Sequence, residues 1–174
     1  MAWYNVFVPD KCLKTYRDLT VKQLKTWGCR CLLLDLDNTL VPYDVRLADQ
    51  QVRDFVAEIQ AADIEIILTS NNSRQRVQPF AEDLGLKFYA SMLKPLAGVY
   101  QKILKDINVQ DKSEVLCLGD QLLTDVWGAH NAGLRVVWVR PLVERDLWST
   151  RINRFFEHRI YRLLVSKGLI DEEM

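Results

Sequence analysis

Residues 32–40 constrain this chain more than any other stretch. They read Leu32-Leu33-Leu34-Asp35-Leu36-Asp37-Asn38-Thr39-Leu40, an apolar run that ends in two carboxylates one residue apart. A run this short reads as a buried parallel strand rather than a helix. Carboxylates are rarely buried unless paired or bound to a cation, so packing explains Asp35 and Asp37 poorly. They fall at the carboxyl end of the strand, the edge at which open α/β sheets bind ligands. Where the chain leaves the strand, it can bend both carboxylates toward one site.

The rest of the chain alternates in the same manner. Strands are expected at 31–35, 64–69, 87–89, 115–119 and 135–139. Between them, residues 47–61 place Leu47, Val52, Phe55, Val56 and Ile59 on one helical face. A second helix is expected from Ser73, as N-cap, to Leu84, with Gly85 as its stop. A third opens at Pro95 and runs to about Ile107, and a fourth covers 122–131. Alternating strands and helices imply right-handed crossovers and a doubly wound parallel sheet between two helical layers, a three-layer α/β fold. Its strands end beside Asp35 and Asp37, Ser70 and Asn71, Asp120, and Arg140, which would converge on one edge.

The chain has 174 residues, with 49% hydrophobic and 26% charged content. That fits one domain with a real core, expected at about 28–141, preceded by an arm over 1–27. Lys+Arg and Asp+Glu both number 23, so bulk charge indicates no nucleic-acid partner. Cys12, Cys29, Cys31 and Cys117 include no CxxC pair, which reads against zinc and for reduced thiols in a cytoplasmic protein. No run reaches the roughly 20 apolar residues of a membrane span. The first five residues lack the basic and apolar regions of a secretory signal.

A C-terminal amphipathic helix is expected over about 147–168. Trp148, Ile152, Phe155, Phe156, Ile160, Leu163 and Leu164 form its apolar stripe, and Arg151, Arg154, Arg159, Arg162 and Lys167 surround it. The stripe suits packing on the core, peripheral contact with an anionic membrane, or a partner.

Two carboxylates at a strand end suggest phosphate chemistry only with a cation. A carboxylate repels a phosphate dianion by about 8 kcal/mol at 4 Å in an effective dielectric of about 20. Mg²⁺, hard and oxygen-seeking, would offset that repulsion. Asp120, in Gly119-Asp120-Gln121-Leu122-Leu123-Thr124-Asp125, offers a second source of metal oxygen. Asp125 would orient a metal-bound water or Lys94, or simply favour the helix dipole. Ser70 and Asn71 can bind phosphoryl oxygens with the amides of the next helix start. Lys94 would neutralise phosphate and nucleophile.

Together these residues resemble the haloacid dehalogenase superfamily. The DxDxT motif stands as Asp35 to Thr39, the second motif as Ser70, the third as Lys94, and the fourth as Gly119 to Asp125. The resemblance implies that Asp35 attacks phosphorus and that Asp37 is the acid and base. Thr39 would support the loop, and Ser70 and Lys94 would hold the phosphoryl group. Mg²⁺ would sit on Asp35, the main-chain carbonyl of Asp37, and Asp120. An acid two residues after the nucleophile points to phosphatase chemistry.

Too few residues separate the motifs for a cap domain, so the site is open unless an oligomer neighbour encloses it. The arm, with Val8-Pro9-Asp10 and Asp18-Leu19-Thr20, together with Lys94-Pro95, is similar to the YqeG-type subclass IIIA phosphatases. Those are similar in turn to the mitochondrial and plastid phosphatidylglycerophosphatases. Gly128-Ala129-His130-Asn131 departs from that pattern, which leads one to expect a basic residue. For a lipid substrate, Arg74, Arg76 and Arg140 would hold the second phosphate. Trp3, Tyr4, Phe7 and the terminal helix would dock on anionic lipid at the inner membrane face. A soluble phosphorylated sugar, nucleotide or nucleic-acid end remains an alternative. So does a binding module for a GTPase or ribosome-associated partner.

Overall fold

The structure, a computed structural model, describes residues 2–143 and 151–171, the side chains of 151–154 excepted. Trp148 and the side chains of Arg151, Ile152 and Arg154 therefore lie outside the described residues.

Among the described residues, six parallel strands form one sheet in the order β1-β6-β5-β2-β3-β4. They are β1 (Lys11–Leu13), β2 (Cys31–Asp35), β3 (Glu65–Thr69), β4 (Lys87–Tyr89), β5 (Val115–Gly119) and β6 (Arg135–Val139). The chain builds outward from β2 to β3 and β4, then crosses back to β5 on the other side of β2. That reversal leaves a crevice at the carboxyl end of β2, beside Asp35.

The two faces of the sheet follow the two-residue period of the strands. Leu32, Leu34, Ile66, Leu68, Leu116, Leu118, Val137 and Val139 share one core with Val52, Phe55, Val56 and Ile59 of α2 (Gln50–Gln60) and Val77 and Phe80 of α3 (Arg74–Leu84). Cys31, Leu33, Ile67, Val115, Cys117, Val136 and Trp138 face the other core. There they meet α4 (Ala97–Asp106), α5 (Trp127–Ala132) and α6 (Arg151–Ser166). α1 (Val21–Thr26) adds Leu24 to the first core. Each fully buried Leu, Ile or Val contributes about 1.5–3 kcal/mol relative to exposure. Asp35 continues the phase of Cys31 and Leu33, so it emerges on the α4–α5 side.

Several boundaries differ from the expectation. The arm is not merely a flank: Lys11–Leu13 pairs with Val137–Val139 as an edge strand. Leu47 precedes α2 and is exposed. Ser73 occupies the cap position of α3 without a side-chain bond to the helix, whereas Gly85 ends it with a left-handed φ of 66°. Helix α4 begins at Ala97 because Leu96 remains extended, with φ −64° and ψ 123°. Residues 122–126 form a π-helical turn, and α5 starts only at Trp127.

The terminal helix packs on the sheet through Ile160 and Leu164, with Ile170 just beyond it, all buried. Phe155 and Phe156 remain exposed, at 56% and 53%. Among the described residues, no helix is long and apolar enough to cross a membrane.

Candidate active site

The chain leaving β2 folds back at once. Asn38 adopts a left-handed φ of 66°, a conformation asparagine tolerates better than most residues. Its N–H donates to the carbonyl of Val41 at 2.7 Å, and the N–H of Leu40 donates to Leu36 at 3.0 Å. This loop returns Thr39 to the site. The Thr39 hydroxyl lies 3.1 Å from both Asp35 Oδ2 and Asp120 Oδ1. It carries one proton, so it donates to one carboxylate at a time.

Lys94 reaches the same point from the loop before α4. Its ammonium donates to Asp35 Oδ1 at 2.7 Å, to Asp125 Oδ1 at 2.6 Å and to the Thr69 carbonyl at 3.3 Å. Asn71 fixes the Lys94 main chain from both sides: its Oδ1 accepts from Lys94 N at 2.7 Å, and its Nδ2 donates to Lys94 O at 3.1 Å. Ser70 is buried, and its Oγ accepts from the N–H of Asn72 at 3.0 Å.

The fourth motif is held as tightly. Asp125 Oδ2 accepts from the N–H of Gln121 at 3.1 Å. A Cβ at Gly119 would lie 2.4 Å from Asp125 Cγ, so only glycine admits this approach. The indole of Trp138 donates to the Asp120 carbonyl at 2.7 Å. From α6, Glu157 accepts from the N–H groups of Leu122 and Leu123 at 3.0 and 2.6 Å.

Asp35, Asp120 and Asp125 are buried, and each offers an oxygen within 4.8 Å of the others. Three carboxylates against one ammonium leave an excess of negative charge when all are ionised. Burial pushes the Asp35 carboxyl up to about 7, against the lowering effect of Lys94 and with the repulsion of Asp125. Burial, then Asp35 and Asp125, hold Asp120 well above the carboxylate range. Burial disfavours the Lys94 ammonium, but Asp125 and Asp35 outweigh it and raise its pKa. An all-oxygen cluster with unbalanced charge fits Mg²⁺. Asp35, Asp120 and Asp125 each offer an oxygen to such an ion, and Asp35 and Asp120 are the two that the sequence pattern assigns to it.

Asp37 stands beside this cluster, near enough for its charge to act on Asp35, and its carboxylate has partners of its own. Oδ1 accepts from Arg76 Nε at 3.0 Å, and Oδ2 accepts from Asn72 Nδ2 at 3.2 Å. Arg74 instead donates to Gln78 Oε1 at 2.8 Å and lies over the Phe88 ring. Arg140 is half-buried at the end of β6. The N–H of Leu142 donates to the Asn38 carbonyl at 2.9 Å, which brings that segment against the loop. Asn72, Trp138 and Glu157 escaped the sequence reading. Asn72 follows Ser70 and Asn71 directly, but three turn-forming polar residues in a row carry no distinguishing signal.

Known proteins resemble this chain in sequence and in fold. Residues 43–133 match the family described as haloacid dehalogenase-like hydrolase. The chain is 34% identical over 167 residues, 96% of each chain, to the Bacillus subtilis (strain 168) protein named "Probable phosphatase YqeG". It is also 34% identical over 67 residues to the glyceraldehyde 3-phosphate phosphatase of Pyrococcus abyssi, covering 38% of this chain and 28% of that one. The magnesium-bound crystal structure of the HAD-hydrolase YfnB from Bacillus subtilis superposes with a TM-score of 0.53 at 14% identity, covering 70% of this chain and 91% of that one. That likeness carries the fold.

Proposed function

Since the chain belongs to the haloacid dehalogenase-like hydrolases, we propose that it is a Mg²⁺-dependent phosphatase that removes the terminal phosphate of phosphatidylglycerophosphate. The observation that carries the phosphatase reading is the buried contact of Lys94 with Asp35 beside Asp120.

On this reading Asp35 attacks phosphorus and becomes an aspartyl phosphate as the bond from phosphorus to the leaving oxygen breaks. Asp37 gives that oxygen its proton. Asp37 then takes a proton from the water that attacks the aspartyl phosphate, and inorganic phosphate and the Asp35 carboxylate are released. Ser70 and Lys94 hold the phosphoryl oxygens, Asn71 fixes Lys94, and Thr39 braces Asp35 against Asp120. Asp35, the main-chain carbonyl of Asp37, and Asp120 would hold Mg²⁺, whose charge stabilises the ionised carboxylates beside a phosphate dianion.

The lipid reading rests on the rim. Leu93 and Leu96, exposed at 67% and 59%, flank the buried Lys94. Trp3, Phe155 and Phe156 are exposed as well, with Arg159 and Arg162 on the same helix as the two phenylalanines. Among the described residues no inserted domain covers the crevice, so a head group can enter while acyl chains stay in a bilayer. Arg140 at this edge would supply positive charge for a second phosphate, whereas Arg74 and Arg76 would first have to leave Gln78 and Asp37. The protein would then meet its substrate as a peripheral protein on the cytoplasmic side.

The test is Mg²⁺-dependent phosphate release from phosphatidylglycerophosphate vesicles and from a panel of soluble esters, with the Asp35→Asn protein as blank. Release from the vesicles in preference to the panel is expected. Preference for a soluble ester overturns the lipid assignment and leaves the phosphatase. Release by the blank overturns the nucleophile.

A further inference from the structure

Asp37 is held by a built clamp rather than by solvent. Both Arg76 Nε, at 3.0 Å, and Arg76 Nη2, at 2.8 Å, face the same oxygen, Oδ1. Asn72 Nδ2 engages the other oxygen at 3.2 Å. The Arg76 and Asp37 side chains are only 13% and 18% exposed, so this pair is sheltered from the screening that makes surface pairs weak.

Each clamp residue is itself fixed. The Arg76 guanidinium lies 5.9 Å from the centre of the fully buried Phe80 ring. The N–H of Asn72 donates to Ser70 Oγ at 3.0 Å, and its carbonyl accepts from the N–H of Ser91 at 2.7 Å. Asn72 Oδ1 accepts from the N–H of Ser73 at 2.8 Å, so the amide nitrogen, not the oxygen, must face Asp37. A surface arginine that meets a carboxylate by accident needs no such second partner with a determined amide orientation.

We propose that Arg76 and Asn72 are positioning residues that hold Asp37 where it exchanges protons with the leaving oxygen and the attacking water. This assignment rests on the phosphatase reading above and gives Arg76 a role beyond substrate charge. A carboxylate free to rotate about χ1 and χ2 would meet the leaving oxygen only part of the time. Two anchors, one on each oxygen, restrict it to one orientation without occupying every lone pair.

Leaving-group dependence separates this role from a structural one. An alkyl phosphate expels a poor leaving group and needs the proton from Asp37. An aryl phosphate such as p-nitrophenyl phosphate expels a stable phenolate and does not. kcat/KM reports the steps up to phosphoryl transfer to Asp35, so it isolates the acid role. The experiment measures kcat/KM of Arg76→Met, Arg76→Lys and Asn72→Ala on glycerol phosphate and on p-nitrophenyl phosphate, with thermal melts of each protein. Asn72→Ala removes the side-chain bonds to Asp37 and Ser73 and keeps the test valid if Arg76→Met fails to fold.

Expected is a loss of about 10–10²-fold on glycerol phosphate, a fraction of a full acid's worth, against less than about 3-fold on the aryl ester. Arg76→Lys should restore part of the loss. A pre-steady-state burst of nitrophenolate should appear in Arg76→Met, because the water step still needs Asp37 as base. Equal losses on both esters, or a change confined to KM, overturn the assignment. If the unmodified protein releases phosphate neither from these two esters nor from phosphatidylglycerophosphate vesicles, the phosphatase reading itself fails, which is a separate result.

Discussion

Lys94 and Asp35 form a buried ion pair, 2.7 Å from Nζ to Oδ1, with side chains only 2% and 10% exposed. The same ammonium holds Asp125 at 2.6 Å. Removing one partner of such a pair leaves uncompensated buried charge, which costs about 3–5 kcal/mol. Lys94→Met should therefore lose both turnover and stability, seen as a lower denaturation midpoint. Retained turnover would show that phosphoryl binding does not depend on this cation.

Gly119→Ala tests the approach of the fourth motif to the strand. The added Cβ would press on Asp125 Cγ at 2.4 Å, and Asp125 sits on a short turn that can yield. Asp125 should swing off Lys94, with turnover falling at least about 10-fold while far-UV circular dichroism is kept. Mg²⁺ should also stabilise this variant less in thermal melts than it does the unmodified chain. An unchanged melt with Mg²⁺ and unchanged turnover would show that the position of Asp125 does not matter.

Asp37→Asn removes the proton carrier while keeping the shape of the side chain. A loss of about 10²–10⁴-fold in turnover is expected. Unchanged turnover would remove Asp37 from the chemistry and leave the Arg76 clamp without purpose.

Glu157 ties the terminal helix to the turn that follows Asp120 through the N–H groups of Leu122 and Leu123. Hydrogen bonds to a charged acceptor contribute about 1.5–3 kcal/mol each. Glu157→Leu should lower thermal stability and weaken Mg²⁺ stabilisation in the same melts, and Glu157→Gln should recover part of both. Removal of residues 151–174 should be more severe, because it also uncovers the core around Ile160 and Leu164. A truncated protein that melts like the full chain would show that the helix is only an accessory.

The residues at strand ends were legible because the strand period and the sheet-edge rule place them without any knowledge of side-chain packing. Asp35, Ser70 and Asp120 fall together on that basis, whereas Lys94, in the loop between β4 and α4, is legible only through its match to the third motif. The Asp37–Arg76 contact was not legible, since it depends on the phase of α3 relative to the loop, which periodicity leaves free. Strand β1 was hidden because Lys11-Cys12-Leu13 is short and becomes a strand only through its pairing with β6. The π-helical turn at 122–126 was hidden for a related reason. Its register is set by Gly119, Trp138 and Glu157 acting from three other elements. The terminal helix was ambiguous in sequence because one apolar stripe suits a core and a bilayer equally, and only the buried Ile160 and Leu164 show which part faces the sheet.

His130 gives the arm a pH-dependent anchor. Nδ1 lies 2.9 Å from the Val6 carbonyl and Nε2 lies 3.4 Å from Asp10 Oδ2, while Asp10 also accepts from the N–H of Val136 at 2.7 Å. The bond to Asp10 outweighs burial and raises the His130 pKa above 6.5. That stabilisation is fully present below about 6.5 and is lost as pH rises through the folded-state value. For Asp10, burial pushes upward, but His130 and the Val136 N–H outweigh it and lower the pKa below 3.8. Its contribution is present above 3.8 and is lost as pH falls through the folded-state value. The pair is therefore strongest between 3.8 and 6.5. His130→Gln should lower the melting temperature more at about pH 6 than at about pH 8.5. Hydrogen exchange should show the amides of β1 opening faster in the variant at the lower pH, with those of β2 unaffected. An equal shift in melting temperature at both pH values would mean that the imidazole holds the arm through its bond to Val6 alone, without its charge.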